Sequence, residues 1–312
     1  MDAIAVSRAL LDETKDQNDL IRLARNYIQK ARELLFERHR AGAGGMEIVS
    51  AYTTVMDYLI HYLFTLASDD FIRRFPTQNQ HCAVVAQGGY GRGELNPQSD
   101  LDLSFLYSWK ISPYVESVTE RLLYTLWDAG LRVGSAVRTV SESIRLAEVD
   151  MKVKTTILDS RFLCGDYALY DEFDKAVEKR LIKKRINRFT QEKLEESRLR
   201  HASYGGSVYL LEPEVKEGEG GLRDIHTARW IARVCLNAKD LDALALNGVL
   251  TAEETSALKE SEDFLFRVRN ELHFSTGKHQ DQLTFEEQEK VSHALGFEGE
   301  GSLKGVEVFM RG

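Results

Sequence analysis

Residues 87–103 read QGGYGRGELNPQSDLDL, a glycine-rich turn joined to a pair of closely spaced aspartates. Before it stands a short apolar run, Ala83-Val84-Val85-Ala86, and after it a second β-like run, Leu101 to Tyr107 (LDLSFLY), so the stretch reads as a turn between two adjacent strands. Gly88, Gly89, Gly91 and Gly93 can take positive φ and let backbone N–H groups approach a polyphosphate closely. Arg92 sets a cation beside that cradle. Asp100 and Asp102 stand at i and i+2, so on a strand both carboxylates share one face while Leu101 and Leu103 turn to the core. Two carboxylates on one edge repel each other unless a cation joins them, and Mg²⁺ commonly bridges carboxylates to substrate phosphates. A two-ion arrangement, with ions about 3.5–4 Å apart, serves an in-line displacement in which pyrophosphate leaves.

Outward from this centre the periodicity is mostly helical. Leu20, Leu23, Tyr27, Ala31 and Leu34 form one stripe that stops at the glycines 42, 44 and 45. Ile48, Tyr52, Met56, Leu59 and Leu63 form a second, closing near the polar segment Asp69 to Gln80. Val115, Val118, Leu122 and Leu126 mark a helix, and Leu131 to Val140 (LRVGSAVRTV) a third strand. Beyond Ser141 short helices are expected at Ser141 to Ile144 and Lys152 to Leu163, then a charged, solvated helical stretch from Asp171 to Arg200. Gly205 to Pro213 holds a brief β-like segment; Leu222 to Asn237, Thr251 to Phe274 and Thr284 to Leu295 read as helices. The expected class is α+β, a small mixed sheet with helices on one side. Its domains are a helical N-terminal region (1–80), a core (81–168) and a mainly helical part after it (169–312).

With 312 residues, 43% of them hydrophobic, the chain can bury one large core or two modest ones. Its net charge of −8, with a pI near 5.6, is not the basic footprint of a protein that grips nucleic acid by its phosphates. Cys82, Cys164 and Cys235 lie far apart, with no ligand or disulfide spacing, and read as buried free thiols in a reducing cytoplasm. No apolar run approaches the roughly 20 residues that span a bilayer, and Met1 to Asp16 lacks a signal-peptide pattern.

A dinucleotide fingerprint would need a helix after the glycines, where this chain puts an aspartate-bearing strand, and no G-K-[ST] of a Walker loop is present. The pattern G-G-[YS]-G-R-G-E-L followed by S-D-L-D-L resembles the nucleotidyltransferase signature of the DNA polymerase beta superfamily. More narrowly it is similar to the amino-terminal part of the PII-protein uridylyltransferase/uridylyl-removing enzymes. Glu212 to Trp230 (EPEVKEGEGGLRDIHTARW) and Leu272 to Phe297 (LHFSTGKHQDQLTFEEQEKVSHALGF) extend the resemblance from about Ala83 to the end.

The resemblance implies Mg²⁺-dependent transfer of UMP from UTP to a tyrosine of a PII-type signalling protein, Asp100 and Asp102 holding the metals. Gly88 and Gly89 would contact the triphosphate and Ser99 would steady the turn. A third carboxylate usually comes from a later element; the strand at 131–140 offers none, which leaves Asp159, preferred, or Asp150. Lys216 and Arg223 flank a second glycine turn that opens a helix, a ready anion site. They read either as cations on the nucleotide's phosphates or as part of a helix-capping ion-pair cluster with Asp224. His273 and His279 lack partners at ligand spacing, and core packing is the expected fate of Trp230. The family's removing domain carries a His-Asp pair and this chain has no such dipeptide, so transfer without removal or intrinsic glutamine sensing is expected. Adenylyl transfer, another acceptor, or a catalytically silent nucleotide-binding module are the alternatives.

Overall fold

A computed structural model describes residues 17–76, 81–183, 186–205 and 211–311. By compactness these divide into two units: residues 17–35, 50–95 and 99–183 form the first, and residues 36–49, 96–98 and 186–311 the second. The cut near 184 lies beyond the expected boundary at 168, and the first eighty residues are shared between the units.

The first unit is built on a four-stranded sheet of order β3-β2-β1-β4. β1 (Ala83–Ala86) runs antiparallel to both β2 (Leu101–Tyr107) and β4 (Arg161–Gly165), while β2 and β3 (Val133–Thr139) are parallel. The mixed sheet and its first three strands match the expectation. β4 does not: Lys152 to Leu163 reads as one helix, but the helix stops at Leu158 and the chain extends to pair with β1. Five residues are too few for periodicity to reveal, and the strand exists because β1 offers a free edge.

Helices cover both faces, not one. Every residue of β1 is buried, which a strand achieves only when both faces are packed. On one face Ala83, Val85 and Leu106 pack with α5 (Val140–Ala147), α6 (Met151–Leu158), α7 (Tyr167–Val177) and the π-helical turn Glu178–Ile182. Elsewhere α2 (Gly45–Arg74) sets Phe64 against Gly165 of β4, and its Ser68 bonds Tyr114 of α4 (Pro113–Asp128) at 2.9 Å. α1 (Gln17–Arg40) joins α4 through Gln17 and Arg25. A single helical turn, α3 (Gly88–Gly91), occupies the glycine stretch where no helix is expected.

Caps fix the helix starts. Ser112 accepts the Val115 N–H with Pro113 at the first helical position, and Thr139 with Glu142 forms a capping box. Asp150 accepts the N–H groups of Lys152 and Val153, so this alternative third acid serves as a helix cap.

The second unit is helical: α8 (Ile186–Ser203), α9 (Leu222–Leu236), α10 (Leu241–Leu246), α11 (Ala252–Thr276), α12 (Phe285–Ala294) and α13 (Gly305–Phe309). Of the β-like segment 205–213, residues 206–210 lie outside the described part. An apolar cluster of Val215, Val268, Leu272, Leu283, Val291 and Phe309 is its main core. Beside it runs a buried polar network. Arg269 grips both carboxylate oxygens of Asp281 (2.8 and 3.1 Å) and also donates to Asn96, while Asn96 donates to Asn270 (2.7 Å). His273, fully buried, lies 3.2 Å from Asp281, and His279 lies 3.4 Å from it. Both histidines therefore have an acidic partner, which their spacing in the sequence hides. Of the cysteines, Cys82 and Cys164 are buried, but Cys235 is exposed. No helix among the described residues is long and apolar enough to cross a membrane.

Burial, partly offset by Asp281, pushes the His273 pKa down to about 4. The folded chain thus keeps His273 neutral where an unfolded chain takes up a proton, so its stabilising contribution is complete above about pH 6.5 and is lost as pH falls toward 4. Between pH 7 and 4, thermal denaturation of His273→Gln should show a smaller acid loss than the wild type, the difference reaching at most about 3 kcal/mol.

Candidate active site

β1 ends at Ala86, and the chain turns through α3 before returning to open β2 beside the strand it has left. Gln87 carries the junction: its N–H donates to the Asp102 carbonyl at 2.9 Å. This bond ties the start of the glycine turn to the second residue of β2. Gly88 follows with φ of +56°, a conformation L side chains rarely adopt.

Asp102 sits in a clasp of two glycines. A Cβ on Gly88 would stand 3.1 Å from Oδ2 of Asp102, and one on Gly134, its cross-strand partner on β3, only 2.7 Å from Oδ1. The carboxylate thus fills the space two side chains would otherwise take, and the turn is close enough to Asp102 for one ligand to meet both. Asp100 precedes the strand by one residue and is exposed, with Arg132 at 2.8 Å. Buried Leu101 and Leu103 alternate with the more exposed Asp100 and Asp102, so both carboxylates lie on one face. Exposed ion pairs contribute little, and a divalent ion could displace Arg132 from Asp100. Hard carboxylate oxygens beside a turn rich in N–H groups form a donor set suited to Mg²⁺ with a phosphate. Ser99 is half-buried directly before Asp100.

Behind the turn lies an ion triad that the sequence does not announce. Arg92 donates through Nε to Glu94 (2.6 Å) and through Nη1 to Asp159 (2.5 Å), and the three side chains are at most 14% exposed. Burial alone would lower the pKa of Arg92, but Glu94 and Asp159 carry it above its usual value. The Asp159 backbone packs closely too: a Cβ on Gly91 would collide with its carbonyl oxygen at 1.8 Å. The structure therefore brings Arg92 and Asp159, expected as a phosphate ligand and the third acid, to each other. Glu94 is the member that sequence reading passes over; its spacing of two from Arg92 was the available signal.

Arg161 of β4 also escapes notice in the sequence. It donates to the carbonyls of Tyr90 and Gly91 (3.2 and 3.3 Å) and pairs with Asp57 of α2 through two bonds of 2.8 and 3.0 Å.

Lys216 and Arg223 belong to the second unit, and there the ion-pair reading describes Arg223. It reaches Glu217 at 2.7 Å and stacks on Trp230, whose ring centroid lies 5.4 Å away and which also carries Lys193 on its ring. Asp224 accepts the Gly220 N–H (2.8 Å) and Arg200 (2.5 Å), so the helix start already holds a carboxylate. Burial lowers the Lys216 pKa, and the nearby Arg269 adds to it.

Two family models match the chain: the glutamate-ammonia ligase adenylyltransferase model over residues 2–155 and the GlnD PII-uridylyltransferase model over residues 188–312. The bifunctional uridylyltransferase/uridylyl-removing enzyme of Bradyrhizobium diazoefficiens is 39% identical over 310 residues, 97% of this chain and 33% of that protein. Those of Rhodopseudomonas palustris and Caulobacter vibrioides are each 38% identical, covering 99% and 98% of this chain and 34% and 33% of their own length. The chain spans about a third of the length of the curated relatives it matches.

Since the triad is buried, removing its cation strands two carboxylates. Arg92→Ala should destabilise the first unit by about 3–5 kcal/mol, read as a lower urea midpoint in chemical denaturation.

Proposed function

We propose that this chain, similar over about a third of their length to the bifunctional uridylyltransferase/uridylyl-removing enzymes, transfers UMP from UTP to a tyrosine of a PII-type signalling protein. The clasp of Asp102 between Gly88 and Gly134, with Asp100 on the same face, carries this reading. In the reaction the tyrosine oxygen forms a bond to the α-phosphorus of UTP. The bond from that phosphorus to the bridging oxygen breaks, and pyrophosphate leaves with the electron pair while the tyrosine gives up its proton.

Asp100 and Asp102 would hold Mg²⁺, two ions in the fullest arrangement, which supplies charge neutralisation on the triphosphate and activation of the attacking oxygen. The chain's own contribution is orientation. Gly88 and Gly89 offer backbone N–H groups to the phosphates, and the hydrogen bond from Gln87 to the Asp102 carbonyl keeps that backbone in register with the carboxylates. Ser99 steadies the approach to Asp100. Asp159 is the proposed third acid, and in that role it would have to exchange its bond to Arg92 for one to a metal or to the acceptor hydroxyl. Lys216 and Arg223 remain proposed nucleotide contacts of the second unit, Lys216 the stronger of the two because Arg223 is already paired with Glu217. We place the reaction in the cytoplasm. Neither nucleic acid nor membrane is proposed as a partner.

The base and acceptor rest on the relatives' names. Adenylyl transfer is not favoured, because the curated relatives that run the length of this chain are named for uridylyl. The removing activity in those names is not assigned to this stretch.

Labelled UMP incorporation into a PII-type protein, with Mg²⁺, is the test. Asp100→Asn and Asp102→Asn should each lower it on the order of a thousandfold while the chain stays folded, and chelation of the metal should abolish it. Equal transfer from ATP would reject the base assignment, and undiminished activity in the double variant would reject the mechanism.

A further inference from the structure

A guanidinium from β4 also holds the glycine turn. Arg161 supplies donors to the last two carbonyls of the turn, Tyr90 (3.2 Å), which also accepts the Gly93 N–H, and Gly91 (3.3 Å). Its remaining edge is fixed by Asp57, oxygen to nitrogen twice, at 2.8 and 3.0 Å. The guanidinium also lies over the Tyr90 ring, 5.6 Å from its centroid. A planar fork can satisfy a carboxylate and two carbonyls at once, which the point charge of a lysine cannot.

The exposure of this pair separates a local role from a general one. The Arg161 and Asp57 side chains are 35% and 32% exposed, so water screens the pair and its share of global stability is smaller than that of a fully buried one. They line a cleft of about 440 Å³ together with Thr54, Tyr58, His61 and Phe162. What the pair does fix is the backbone of Tyr90 and Gly91, and with it the direction of the N–H groups at the start of the same turn.

We propose that Arg161, oriented by Asp57, is a positioning residue that holds the glycine turn in its phosphate-receiving conformation. It rests on the nucleotidyl-transfer reading and adds to it a residue that acts through the backbone instead of touching the reacting atoms. Neither Arg161 nor Asp57 is needed to hold a metal, so their loss should weaken nucleotide binding more than turnover.

The test uses the full chain and its variants Arg161→Ala, Arg161→Lys and Asp57→Asn. Titration with Mg²⁺ and UTP, steady-state kinetics and thermal melts are read together. The apparent affinity for UTP should fall about tenfold in all three, with kcat changed less than KM and the melting temperature nearly kept. Because the cleft opens to solvent, millimolar guanidinium chloride should restore UTP affinity to Arg161→Ala and leave the wild type unaffected. UTP affinity within about twofold of wild type in the variants would overturn the proposal. So would a loss that follows the melting temperature and that guanidinium does not restore. If the wild type itself binds no nucleoside triphosphate, the functional reading fails first, and that failure is visible before any variant is made.

Discussion

One close approach governs the first unit: the Asp102 carboxylate lies where the side chains of residues 88 and 134 would be, and glycine at both positions admits it. The two glycines come from different elements, one from the turn after β1 and one from β3. Asp102 therefore marks the point where the glycine turn, the acid-bearing strand and its parallel neighbour converge. A methyl group at Gly134, 2.7 Å from Oδ1, would displace the carboxylate or part the two strands. Function and packing here compete for the same few cubic ångströms, and the absence of two side chains resolves the competition in favour of the acid.

Around that point, charge is used to hold backbone. Arg92 is buried with Glu94 and Asp159, and Arg161 is locked by Asp57 against the carbonyls of Tyr90 and Gly91. Burying the Arg92 guanidinium is costly unless its charge is matched, and Glu94 and Asp159 match it, while the partly exposed Arg161 is held by Asp57. Their common effect is a turn braced from two sides by side chains that reach it from α2, β4 and the end of α6. The second unit has a buried charged set of its own, in which Arg269, Asp281, His273 and Asn96 pair side chain to side chain. Such networks rigidify when complete.

The arginine and acid roles read from the sequence show what local patterning leaves open. Arg92 follows the glycines directly, and a cation in that place suggests a phosphate ligand. In the folded chain its charge is matched by two carboxylates, one of them 67 residues away. Asp159, the expected third acid, faces Arg92. Lys216 and Arg223 divide, Arg223 going to Glu217 six residues before it and Lys216 lying half-buried among charges of both signs. A side chain's partner depends on what the rest of the chain brings to it, and spacing along one segment carries no record of that.

By itself the sequence determined the strand, glycine turn and aspartate-bearing strand around residues 83–107, the shared face of Asp100 and Asp102, the mixed sheet and the helical character of nearly everything else. Those follow from local periodicity and from the conformational freedom of glycine, properties that neighbouring residues hold together. Only the tertiary structure decided the existence of β4, the covering of the sheet on both faces, the role of Gly134, the commitment of Arg92 to Glu94 and Asp159, and the bracing of the turn by Arg161. Each of these depends on pairs of residues distant in the chain, and only folding, which sets their separation in space, can establish it.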